Sequence, residues 1–331
     1  VAATDMGLNV HPTVIDAHMH ILDASWLPEG LRWAWARQAV GRSHPERDPA
    51  DVFPRVAQGQ SDPSGALTIA AFDRAGVAAG LMPVVDWTIV GRPAGEHLPI
   101  RDLHARCQSL ADVYPGRLFF CAGIDPRHPD AAEILDHAAR MGGCRGVKLY
   151  PAAGWDLADP AHTWLFERLA ELDLPVVVHT SPLGGDPLQT VRSRPAEVAS
   201  LLARHPTLTV VFAHAGLEAW WAEALDAATG WQRAYLELSL WQRCALTDYP
   251  EFRRRLARMR SQLGAHRLLF GSDIIRGEKS DPHGDELLTW IDRVTSLAEP
   301  YAGEPPVLSA EELALFLAAN AVRVYNLKEH R

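Results

Sequence analysis

Eight times along its length the chain passes through a short apolar run that lacks polar alternation. The runs are Val14 to Asp16, Val77 to Val85, Leu118 to Gly123, Gly146 to Tyr150, Pro175 to Val178, Leu208 to Ala213, Tyr235 to Leu238 and Arg267 to Gly271. A strand with one wet face alternates apolar and polar residues, so a run that is apolar at both parities belongs to a strand covered on both faces. Stretches of helical periodicity lie between most of them. One is DAAEILDHAARMGG, where Asp130 is placed to cap the start and Gly142 or Gly143 the end. Eight such units predict a closed α/β barrel of the TIM, (β/α)8 type. A doubly wound sheet usually has fewer strands and a glycine-rich turn after the first, whereas here the first strand runs into His-x-His.

The 331 residues exceed a usual domain, but such barrels reach or pass about 250 residues as one unit, so a single domain is expected. Two stretches depart from the repeat. Between residues 22 and 65 Trp26, Trp33 and Trp35 stand among prolines, which reads as an insertion over the barrel mouth with a short helix near Leu31 to Val40. After the eighth run, a C-terminal helical extension covers about 283–331, its last helix opened by Ser309 with Glu311 and Glu312 behind it, close to a capping box.

A net charge of -9 with interspersed signs gives no footprint for nucleic acid or an anionic membrane, and favours a small-molecule substrate. Cys107, Cys121, Cys144 and Cys244 show no Cys-x-x-Cys spacing and are expected to be reduced. No apolar stretch reaches the roughly 18 residues of a membrane helix, and the opening residues VAATDMGLNV carry no signal-like pattern, so a cytoplasmic protein is expected. A homodimer would be in keeping with the prevalence of symmetric pairs.

Barrel enzymes carry their chemistry at the carboxyl ends of the strands. The first run ends in VIDAHMH, where a two-residue spacing lets His18 and His20 point the same way and grip one metal. The fifth run stops at His179, the sixth at His214 and the eighth at Asp273. A single histidine after a buried strand is as readily a satisfied core group as a ligand. Four of the fifteen histidines at these ends, together with an aspartate, point to a site for a divalent metal, with zinc favoured by the imidazoles.

The fourth run, RGVKLYP, ends in Lys148, although only three of the 32 basic residues are lysine. Arginine stays protonated, whereas a buried lysine among like charges can become a neutral amine. Such an amine can capture carbon dioxide and, as a carbamate, bridge two metals. An ordinary ammonium facing a carboxylate is the alternative.

With these motifs in view, the chain resembles the amidohydrolase superfamily, in particular the amidohydrolase-2 branch that includes aminocarboxymuconate semialdehyde decarboxylase and related metal-dependent hydrolases. The resemblance rests on DAHMH, GVKLYP, VVVHTS, HPTLTVVFAHAG and LFGSD and runs to NAVRVYNL near the end. It implies that His18, His20, His179 and Asp273 bind a catalytic metal, usually zinc, and that His214 is a second-metal ligand or an acid/base group. In two-metal members a carboxylated lysine bridges from the fourth strand, where Lys148 stands. The branch's decarboxylases usually lack that lysine, so the departure favours hydrolysis.

The expected reaction is attack of metal-activated water on an amide, ester or lactone carbonyl, with Asp273 moving the proton and His214 polarising the carbonyl. The competing reading is non-oxidative decarboxylation of an aromatic or enoic acid, with Arg92 or Arg276 holding a carboxylate. A barrel that binds without turnover is a third, since fold alone does not establish activity. Trp26, Trp87, Trp155, Trp241, Arg92 and Arg276 are the candidates for lining a pocket for a cyclic or aromatic substrate, although a tryptophan more often packs than recognises.

Overall fold

The structure is a computed structural model that describes residues 13–41, 45–56, 59–87, 89–90, 97–184 and 187–327. Its eight strands are β1 Val14–Asp16, β2 Val77–Pro83, β3 Leu118–Gly123, β4 Cys144–Leu149, β5 Val176–His179, β6 Val210–Ala213, β7 Ala234–Glu237 and β8 Leu268–Leu269. They pair in sequence order, every pair parallel. Each apolar run became one strand of a TIM-type barrel. The seam between β8 and β1 closes through single bonds rather than a ladder. Ala17 donates its N–H to Phe270 (3.0 Å), Ser272 to His18 (3.0 Å) and His20 to Ile274 (3.2 Å).

The runs are apolar at both parities because each parity has its own core. Leu81, Cys121, Val177, Val211 and Leu269 point into the barrel, where Ala318, Ala321, Tyr325 and Leu327 of the C-terminal segment join them. Residues of the other parity, among them Phe120, Val147, Val178, Phe212 and Leu236, pack outward against the helices. Both faces are dry, so no strand can alternate.

The insertion holds helix Glu29–Val40 and a second helix, Pro49–Val56, that the periodicity did not indicate. Its Leu27 and Leu31 pack with Val85, Trp87 and Val90 of the barrel rim, so the insertion sits on the carboxyl ends of the strands. The capping box at Ser309 and Glu312 is present as expected. Asp130 precedes helix Ala131–Ala139 but makes no capping bond, because its carboxylate is taken by Arg101 (2.7 Å) and His128. That helix closes at Arg140, short of the two glycines. Among the described residues no helix is long and apolar enough to cross a membrane.

Candidate active site

The carboxyl ends of the strands open into a cavity of about 520 Å³, and His18, His20, Lys148, His179, His214 and Asp273 all line it. His18 and His20 follow β1 with Met19 turned into the core between them, so the two-residue spacing brings both imidazoles to the cavity. Their Nε2 atoms lie 3.5 and 2.9 Å from Asp273 Oδ1. His214 follows β6, with Nε2 3.1 Å from Nδ1 of His179 and Nδ1 3.9 Å from Asp273 Oδ2.

The backbone is held in an uncommon conformation at these positions. His214 (φ 65°), Leu240 (φ 64°) and Asp273 (φ 55°) occupy the left-handed region without being glycine. Such residues cost about 1–3 kcal/mol each and collect where the surroundings over-determine them. Here Trp241 Nε1 donates to the His214 carbonyl (2.9 Å) and the Asp273 N–H donates to the His18 carbonyl (2.6 Å).

Glu237, at the end of β7, organises the imidazoles from behind. Its Oε2 accepts from His18 Nδ1 (2.8 Å), Ser239 Oγ (2.9 Å) and the His214 N–H (3.3 Å), and its Oε1 from the Ser239 N–H (2.5 Å). Ser239 Oγ in turn lies 2.7 Å from His214 Nδ1. These partners assign the protons, since a nitrogen facing an acceptor must donate. His18 donates from Nδ1 and leaves Nε2 a bare lone pair. The Ser239 hydroxyl donates to Glu237, so His214 donates from Nδ1 and its Nε2 accepts from His179 Nδ1. His179 Nε2 is then a second bare lone pair, buried and without a partner among the described residues.

Two lone pairs therefore end in the cavity beside a carboxylate, and His18 Nε2 faces Asp273 Oδ1, acceptor against acceptor, at 3.5 Å. A divalent cation satisfies such an arrangement and a proton on His18 does not, because burial, then the charge of Lys148, holds that imidazole well below its ordinary pKa. His179 and His214 are held down in the same way, by burial first and then by Lys148 and the crowding of the neighbouring histidines, which disfavours protonating any of them together. Burial raises the Asp273 carboxyl, but His18, His20 and Lys148 outweigh it and leave it below the ordinary value. Neutral imidazoles and an ionised carboxylate are the ligand forms that zinc or manganese takes. Ligating atoms of His18, His214 and Asp273 all fall within 4.8 Å of one another.

Burial lowers the Lys148 amine to about 8, against the pull of Asp273 and Glu237. Burial likewise pushes Glu237 up to about 8, with Ser239 and His214 donors opposing it. Asp16 joins the ends of β1 and β8, accepting from the Ser272 N–H (2.9 Å) and hydroxyl (2.6 Å) and from the His18 N–H (3.2 Å). Tyr150 lines the cavity with its ring 4.4 Å from that of His179.

Of the other sequence candidates, Trp87 lines the cavity and Arg92 lies outside the described residues. Trp26, Trp155 and Trp241 belong to the hydrophobic core instead, as their large apolar area favours. Arg276 is also buried behind the wall, 3.3 Å from Asp281 Oδ2, which takes its charge out of the cavity. Glu237, Ser239, Tyr150 and the wall residue Trp35 were not among the candidates. For Glu237 a signal existed: a carboxylate inside an otherwise apolar run, where water cannot reach it, needs a specific partner.

A family model described as "Amidohydrolase" matches residues 15–327. No curated protein matches the chain. Among solved structures, it is similar to 5-carboxyvanillate decarboxylase from Novosphingobium aromaticivorans, complexed with manganese and a nitrobenzoic acid, at 16% identity and TM-score 0.66, covering 96% of this chain and 97% of that one. A putative 2-pyrone-4,6-dicarboxylic acid hydrolase from Pseudomonas putida is similar at 20% identity and TM-score 0.58, covering 97% and 100%. An amidohydrolase from Burkholderia multivorans with bound zinc is similar at 19% identity and TM-score 0.59, covering 96% and 100%.

Proposed function

The chain belongs to the amidohydrolase family, and from that premise we propose that it is a metal-dependent hydrolase acting on an amide, ester or lactone carbonyl of a small substrate. The observation that carries the reading is the cavity floor, where an ionised Asp273 stands 2.9 Å from His20 and 3.5 Å from His18, with Lys148 lining the same space. His18, His20, His179 and Asp273 are the residues we assign to hold a divalent metal. When bound, such a cation acidifies water and polarises a carbonyl.

The protein's own groups do the rest. Asp273 can take the proton of an attacking water and return it to the leaving group, because its carboxyl stays ionised in the site. His214 donates from Nδ1 and turns its Nε2 lone pair to His179, which among the roles expected for it favours ligand or acid/base group over polariser of the carbonyl. Glu237 and Ser239 fix the tautomers of His18 and His214 and so keep Nε2 of His18 and, through the His214–His179 bond, Nε2 of His179 bare. One ion would take the donors of His18, His20, His179 and Asp273. A second would need a further anionic ligand, which Lys148 could offer only as its carbamate.

Decarboxylation of an aromatic or enoic acid is the competing reaction for the same floor. The deciding experiment measures metal per chain in zinc- or manganese-replete protein, native and denatured mass for a labile carbon dioxide on Lys148, and turnover of aryl esters, lactones and carboxylic acids. Hydrolysis that disappears with a chelator and with Asp273→Asn supports the proposal. Carbon dioxide release without hydrolysis, or protein that takes up no metal, refutes it.

A further inference from the structure

Above its ionic floor the cavity changes character. One wall comes from the insertion, with Leu22, Leu27 and Trp35, and the other from the barrel rim and following loops, with Val85, Trp87 and Leu188. These six belong to a single packed cluster, so the insertion and the rim form one apolar sleeve over the floor. A cavity of about 520 Å³ is in the range that encloses a small ring compound.

Two polar groups in the sleeve present buried, unpaired acceptors. The side-chain carbonyls of Gln60 and Gln242 have no partner among the described residues, and Nε2 of Gln242 is already donated to the Ser272 carbonyl (2.5 Å), which fixes its oxygen as the free end. Glu286 adds a carboxyl. The cations lining the cavity, among the described residues, are Lys148 on the floor and the exposed Arg243. The buried guanidinium of Arg276 lies 3.3 Å from Asp281 Oδ2, with Nε and Nη2 making no hydrogen bond among the described residues, and it does not line the cavity.

A substrate carboxylate placed in this sleeve would lose its water and meet hydrocarbon, carbonyl oxygens and Glu286 in exchange. An uncharged ring would lose nothing, and an N–H or O–H on it would find an acceptor. We propose that the substrate is an uncharged, largely apolar ring compound with one hydrolysable carbonyl and no carboxylate on the part that occupies the sleeve. This rests on the hydrolase reading above. It separates the chain from the similar structures whose names specify a carboxyvanillate or a pyrone dicarboxylate.

The test compares dihydrocoumarin with its 6-carboxylate. Binding is read by tryptophan fluorescence on chelator-treated protein, which keeps every side chain of the sleeve, and turnover on the metal-replete protein. The neutral lactone is expected to bind at least tenfold more tightly and to have the higher kcat/KM by a similar factor. Leu188→Arg, which puts a cation at a half-buried position of the sleeve, is expected to move that ratio at least tenfold toward the carboxylate. Equal or tighter binding of the carboxylated lactone, no binding of either, or a ratio indifferent to Leu188→Arg overturns the assignment. If the carboxylated lactone is nonetheless hydrolysed, the hydrolase reading survives that failure. Release of carbon dioxide from 5-carboxyvanillate without hydrolysis of either lactone sinks the hydrolase reading itself.

Discussion

Replacing Glu237 by glutamine should weaken metal binding without removing any ligand. The substitution conserves shape but exchanges one oxygen for an NH2 group. On the Oε2 side that group would face three donors, His18 Nδ1 at 2.8 Å, Ser239 Oγ at 2.9 Å and the His214 N–H at 3.3 Å. On the Oε1 side it would face the Ser239 N–H at 2.5 Å. Either way at least one hydrogen bond becomes donor against donor, and His18 is released to rotate or change tautomer. Loss of such a partner behind a ligating histidine typically lowers metal affinity 10–100-fold, about 1.4–2.7 kcal/mol. The assay is competition with a chelator of known affinity, with zinc and with manganese, alongside the thermal midpoint of metal-free protein. Unchanged affinity in a variant that melts like its parent would refute the claim that Glu237 sets the donor face of His18.

Gly271→Ala tests the same contact from the other side, since a Cβ there would land on Glu237 Oε1 and close to His18 Cβ. The metal dissociation constant should rise at least as far as for Glu237→Gln, and an unperturbed constant counts against the network. Lys148→Met, similar in length but without the amine, should lower kcat/KM about 100-fold or more, roughly 2.7 kcal/mol, with little change in melting; full activity would remove Lys148 from the mechanism. His104, stacked on Phe120 away from the proposed ligands, is lowered by burial from 6.5 to about 3. A depressed histidine is neutral when folded, so its contribution is complete above pH 6.5 and is lost as pH falls from 6.5 toward 3. At pH 4.5 that loss is about 3 kcal/mol. Denaturant titrations at pH 7 and 4.5 should show His104→Gln losing that much less than the parent, and parallel losses would disprove it.

How much of this was legible beforehand depends on whether a residue's role is set by its own strand or by a distant one. The eight strands could be read because burial on both faces is a local demand on composition, which every window of sequence must meet separately. His18, His20, Lys148, His179, His214 and Asp273 could be found for a related reason. A polar residue at the carboxyl end of such a strand has few places to go except the barrel mouth. Glu237 is not legible in this way, because it lies within its apolar run rather than after it. Asp130 misled for the opposite reason. It has the right type and place for a cap, but Arg101, brought from another helix, holds its side chain.

The sequence by itself determined the parallel barrel and the strand ends whose polar residues line the cavity, through the period and polarity of neighbouring residues. Tertiary structure alone decided which tryptophans line the cavity and which fill the core, because a loop side chain turns toward whatever apolar surface the chain brings near it. It also decided the tautomers. Glu237 lies 219 positions from His18, and only the closed barrel brings its carboxylate to the back of that ring.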